Sequence, residues 1–131
     1  MPSYGNQVKT TLPYSAAVER VKALLREEGF GVLCEIDVAA TVREKLGETF
    51  RPYCILGACN PQLAHRAISA EPQIGLLLPC NVVVQELDGA TSVSAVDAGA
   101  MLAIVGNPQL DGVASDVNAR LKRVLDAISS T

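Results

Sequence analysis

The sequence predicts an α+β fold in which a mostly antiparallel sheet is covered on one face by two long helices. Three observations carry that expectation. Two strand-like runs, residues 74–87 and 90–97, are joined by Asp88-Gly89, a dipeptide that closes tight hairpins and so forces an antiparallel pair. Residues 15–29 and 110–128 each repeat apolar residues along a single stripe at helical spacing, and each stripe needs a sheet face to cover. The chain has neither the Gly-rich phosphate loop nor the regular strand–helix alternation of a doubly wound parallel sheet.

Residues 5–12 (GNQVKTTL) alternate and read as the first strand. Pro13 and Ser15 open a helix, with Ser15 the expected N-cap, Val18, Val21, Leu24 and Leu25 its apolar stripe, and Gly29 closing it. From residue 30 to 38 (FGVLCEIDV) the period becomes two. Phe30, Val32, Cys34 and Ile36 then share one face, which makes Cys34 a core position. Residues 39–49 form a polar connector with a turn or two of helix over 42–46, ending at Gly47. A third strand over 51–59 runs into Asn60 and Pro61, cap and first position of a short helix to about Ser69 with Leu63, Ala64, Ala67 and Ile68 on its core face. The run 74–87 reads as a strand interrupted by Pro79, which marks an edge or a bulge. After the hairpin and a loop through Gly99, Met101, Gly106 and Pro108, the last helix carries Val113, Val117, Leu121, Val124, Leu125 and Ile128 inward. The order is β-α-β-β-α-β-β-α. With no linker, repeat or low-complexity tract, residues 1–131 read as one domain with its core in 5–128.

At 49% hydrophobic and 19% charged residues the chain has the material for a real core. A net charge of −3 without any basic block argues against nucleic acid or an anionic membrane as partner. The first twelve residues lack a signal-peptide pattern, and no apolar run reaches spanning length. A cytoplasmic protein with reduced thiols is expected.

The chemistry rests on four cysteines and one histidine among few other candidates. Cys59 lies just ahead of a helix N-terminus, where free N–H groups and the positive dipole end stabilise a thiolate, although Pro61 removes one donor. The competing reading is a small buried hydrophobe at a strand end. Cys80 is either a partner thiol to Cys59 or a core residue beside a bulge. Cys54 and Cys59 fit the loose end of zinc spacing, but they have opposite strand parity and no second pair completes a site, so Cys54 reads as core. His65 falls on the polar side of its helix with Gln62 and Ser69. It reads as a surface histidine; its functional version is a base for Cys59, or a third ligand with Cys59 and Cys80 around a metal. Asp97 ends a strand at a Gly-rich loop, at a cleft mouth or simply in solvent. No motif requires a cofactor.

Gly57-Ala58-Cys59-Asn60-Pro61, Leu77-Leu78-Pro79-Cys80-Asn81, and Asp97 ahead of Met101 resemble the pattern of a prokaryotic family known as domain of unknown function 302. The resemblance runs from about residue 15 to 128 and departs at Ala98, where the pattern often has proline. It implies a TBP-like α+β fold and homodimers, and it implies no activity. It also sets Cys59 and Cys80 together as the motif cysteines. The leading expectation is a homodimeric module whose cleft, lined by Cys59, Asn60, Pro61, Pro79, Cys80, Asn81 and Asp97, binds a small molecule, a metal or a thiol-reactive species. The alternatives are an enzyme with Cys59 as nucleophile or redox centre, helped by Cys80 or His65, and a structural dimer with no site.

Overall fold

The computed structural model describes residues 3–131. Five strands, β1 (Gly5–Thr10), β2 (Gly31–Asp37), β3 (Tyr53–Cys59), β4 (Cys80–Leu87) and β5 (Ala90–Val96), form one antiparallel sheet in the order β1-β5-β4-β3-β2. The helices are α1 (Tyr14–Glu27), α2 (Val38–Leu46), α3 (Pro61–Ala70), α4 (Ala98–Leu102) and α5 (Asp111–Ser129). Short 3₁₀ segments span Pro72–Leu77 and Pro108–Leu110.

The apolar stripes of α1 and α5 lie where the spacing puts them. Val18, Val21, Leu24 and Leu25 of α1, and Val113, Val117, Leu121, Val124, Leu125 and Ile128 of α5, are all buried. They meet the sheet face formed by Cys54, Leu56, Ala58, Cys80, Val82, Val84, Val93 and Ala95, which is buried by strand alternation. The opposite face carries Gln7, Lys9, Ile55, Val83, Gln85 and Ser94, and its neighbours across the strands share that parity. The Asp88-Gly89 hairpin is present, and both residues hold the positive φ values, 54° and 78°, that a tight two-residue turn requires.

Four expectations need correction. Ser15 is not the cap of α1: the helix starts at Tyr14, preceded by Pro13, whose carbonyl accepts from Ala17 N–H at 2.9 Å. Cys34 is exposed rather than core. Val32 pairs with Ala58 but Cys34 pairs with Gly57, so Leu33 is an extra residue, a bulge that turns the rest of β2 over. Cys34 and Ile36 therefore share the open face with Gly57 and Ile55, while Glu35 points under α1 to Lys22, 2.7 Å away. Residues 74–87 are not one strand: Pro72–Leu77 winds into 3₁₀ helix, the Leu78–Pro79 peptide is cis, and β4 begins at Cys80. The connectors expected after β2 and β5 each contain a full helix, capped by Asp37 and Asp97 through bonds to Ala40 N and Ala100 N.

Candidate functional site

Antiparallel pairing of β3 with β4 brings the two cysteine motifs side by side. Gly57 faces Asn81 and Ala58 faces Cys80, so the end of β3 and the start of β4 form one rim of the sheet. Glycine is required at position 57 by space. A Cβ there would stand 2.5 Å from Cys34 Sγ and 2.9 Å from Pro79 Cγ, which close on it from either side.

Asn60 caps α3, with its Oδ1 accepting from Leu63 N at 3.2 Å, and it is itself nearly buried. Pro61 occupies the first turn, where its missing N–H costs nothing. The cap fixes α3 as a wall beside the sheet rim. A second wall comes from α4. Asp97 Oδ1 accepts from Ala100 N at 3.1 Å and from Asn118 Nδ2 at 3.0 Å, and Asn118 Oδ1 in turn takes Ala98 N–H at 2.8 Å. Those donors, the Ala100 N–H first, hold the Asp97 carboxyl below the usual carboxylate range. The network ties α4 to α5 and turns Met101, one helical turn beyond Asp97, toward the sheet rim.

Between these walls lies a cavity of about 270 Å³. Its lining includes Cys59, Asn60, Pro79 and Cys80 from the two motifs, with Met101 and Leu102 from α4, Leu63 and Ala64 from α3, and Val113 and Val117 from α5. Phe30 and Leu33 complete it from the side of β2. Cys59 is partly accessible and Cys80 is buried. Burial, followed by the nearby Cys59, pushes the Cys80 thiol up to about 11, so at neutral pH it is a thiol.

Three of the expected lining residues lie elsewhere. Pro61 is exposed on the outer side of the first turn of α3. Asn81 points to the open sheet face, because it follows Cys80 by one residue and strand parity reverses; it lines a separate groove with Gln7, Tyr53, Gln85 and Ser94. Asp97 is occupied as the α4 cap and does not line the cavity. His65 is exposed, because Leu63 and Ala67 claim the inward face of α3. The set Cys59, Cys80 and His65 therefore does not converge, and among the described residues no three His, Cys, Asp or Glu side chains stand close enough to hold a metal ion. Cys54, as expected, is core: burial first, then the Glu35 carboxylate, raise its thiol to about 11.

Sequence reasoning missed Leu33 and Phe30 as lining residues. The bulge that delivers Leu33 leaves no mark in an otherwise alternating run. The sequence places Met101 in a loop; its position in the wall follows from the Asp97 cap that starts α4.

Comparison with known proteins identifies the family and the fold. Residues 6–128 match the model of the family described as domain of unknown function DUF302. The crystal structure of an uncharacterized conserved DUF302 protein from Bacillus stearothermophilus is similar at a TM-score of 0.91 and 30% identity, covering 97% of this chain and 99% of that one. Among curated proteins no significant match is found. No helix among the described residues is long and apolar enough to cross a membrane.

Proposed function

We propose that this chain, which belongs to the DUF302 family, is a small homodimeric binding module that holds a small molecule or a thiol-reactive species in the cleft walled by Cys59, Asn60, Pro79 and Cys80. One observation carries the reading: two motif segments twenty residues apart are paired by β3 and β4 so that both cysteines line one cavity. Cavities lined by apolar groups with a few convergent polar or reactive ones are the default shape of a small-molecule site. Of the two thiols, Cys59 is the one open to a ligand; Cys80 stays protonated at the back. No histidine or carboxylate among the described residues lines the cavity. Cys59 therefore has no base beside it there, and the geometry favours binding over nucleophilic catalysis. Dimerisation is supported by exposed apolar side chains away from the cleft, Ile36, Leu46, Leu76 and Ile104 among them, in so short a chain.

The test is iodoacetamide labelling mapped by peptide mass spectrometry. Cys34 and Cys59 are expected to react in the folded protein while Cys54 and Cys80 stay protected. Filling the cleft with Ala64→Phe is expected to slow Cys59 and leave Cys34 unchanged. Equal rates at Cys59 with and without the filled cleft would remove the reading. For the dimer, sedimentation at micromolar concentration showing only a 13.8 kDa species would remove that part.

A further inference from the structure

The wall chemistry of this cleft narrows its ligand, on the premise that the cleft is a binding site. Apart from two thiols, its one polar side chain is Asn60, whose Oδ1 is already held by Leu63 N. Thiols are weak hydrogen-bond partners. A polar group entering here would exchange its water for the Asn60 amide at most, an unfavourable exchange, whereas carbon and the polarizable sulfurs of Cys80 and Met101 suit an apolar one. The volume is also informative. An engineered apolar cavity of about 150 Å³ stays dry and accepts a benzene ring. At about 30 Å³ for each small group packed as in a liquid, 270 Å³ holds roughly nine carbons. The rim continues the pattern: Leu33 and Ile68 line the cavity and yet are 70% and 46% exposed, so the mouth opens to water across apolar side chains.

We infer that the cleft takes the single medium-length alkyl chain of an amphiphile, inserted between α3 and α4 toward Cys80 with its polar head left in solvent at the Leu33–Ile68 rim.

The probe is the series of n-alkanols from butanol to dodecanol, titrated calorimetrically into the full chain. Affinity is expected to rise about fourfold for each added methylene and to level off near nine carbons. Ala64→Phe, which occupies the cavity, is expected to weaken octanol binding at least about tenfold. Ile68→Asp, at the exposed rim, is expected to weaken it several-fold while the thermal midpoint and far-ultraviolet circular dichroism stay as in the wild type. Affinity independent of chain length would overturn the inference, as would undiminished octanol binding by both variants. A dimer that dissociates as dodecanol is added would overturn it too, by assigning the cleft to a second copy's side chain. The two readings fail separately. If the alkanols do not bind but Ala64→Phe still slows alkylation of Cys59, the cleft remains a site and only the alkyl chain is excluded; if both effects are missing, both readings fall.

Discussion

Replacing Gly57 by alanine tests whether the two motifs are held together by close packing at one backbone position. The added Cβ would meet Cys34 Sγ at 2.5 Å and Pro79 Cγ at 2.9 Å, both closer than carbon and sulfur tolerate. Alanine brings an opposing benefit, because removing glycine from a strand is worth about 0.5–1 kcal/mol through unfolded-state entropy. The two contacts differ in how they yield. The Cys34 thiol is exposed and can give way by turning about 30° off its staggered position, for roughly 0.5–1.5 kcal/mol. The Pro79 ring has no such freedom, and moving it shifts the whole start of β4. Forced overpacking of this kind costs about 1–3 kcal/mol, so a net loss of about 1–2 kcal/mol is expected after the alanine benefit.

Urea unfolding of four proteins settles it: wild type, Cys34→Ala, Gly57→Ala and the double variant. Cys34→Ala alone should be nearly neutral, since that side chain is exposed. In the double variant the sulfur contact is gone and the Pro79 contact stays, so about 0.5–1 kcal/mol of the loss should return as a coupling energy. Gly57→Ala as stable as the wild type would refute the close-packing account. Additivity of the two changes within about 0.3–0.5 kcal/mol would refute the share assigned to Cys34.

Three further outcomes follow from the same geometry. Asp97→Ala should cost about 1 kcal/mol through loss of the α4 cap, and Asp97→Asn distinctly less, measured by thermal unfolding. The Asp97 carboxyl is held low, so its contribution is present above the ordinary carboxylate pKa and lost as pH falls through the folded value; Asp97→Asn should lack that part of the acid slope. The Cys80 thiol runs the other way: with its pKa raised from 9.0 to about 11, it contributes stability present below pH 9 and lost progressively as pH climbs toward 11. Wild type should therefore lose urea resistance over that window more steeply than Cys80→Ala, and parallel profiles would count against it. Arg120 donates from Nη1 to the Glu28 carbonyl at 2.7 Å and from Nε to Asp116 at 2.9 Å, joining the end of α1 to α5. Arg120→Ala should lower stability by about 1–2 kcal/mol in chemical denaturation, with Arg120→Lys recovering part of it.

The long helices and the hairpin were legible because their signals are local and repeated: a stripe of six apolar residues in α5, or two positive-φ residues between alternating strands, leaves few alternatives. The failures share a cause as well. A bulge adds one residue to a strand without changing its composition, so nothing in FGVLCEIDV says that parity breaks at Leu33. The apolar run before Pro79 has strand composition, but Pro72 at its start and Pro79 at its end leave a short stretch that closes on itself as 3₁₀ turns. Asp37 and Asp97 are good N-cap residues, and reading them as caps would have found α2 and α4. The site was half legible for related reasons. Cys59 and Cys80 stand out by local context, but Phe30, Leu33 and Val117 reach the cavity only through tertiary packing.

The motif residues divide by what they touch. Gly57 makes room for Pro79, Asn60 starts α3, Asp97 starts α4, and none of the three needs a ligand to explain its identity. Each sets the position of one wall. Cys59, Pro79, Cys80 and Met101 are the surfaces those walls present to the cavity. Stability alone accounts poorly for this second group. A protein needing only a packed core would gain by closing a 270 Å³ space with larger side chains at Ala64 or Ala67, since empty apolar volume forfeits contacts on every side. Small residues on α3 facing two thiols and a methionine keep that space open. That three capping or clearance residues hold such a cavity open is an argument for the proposed binding reading.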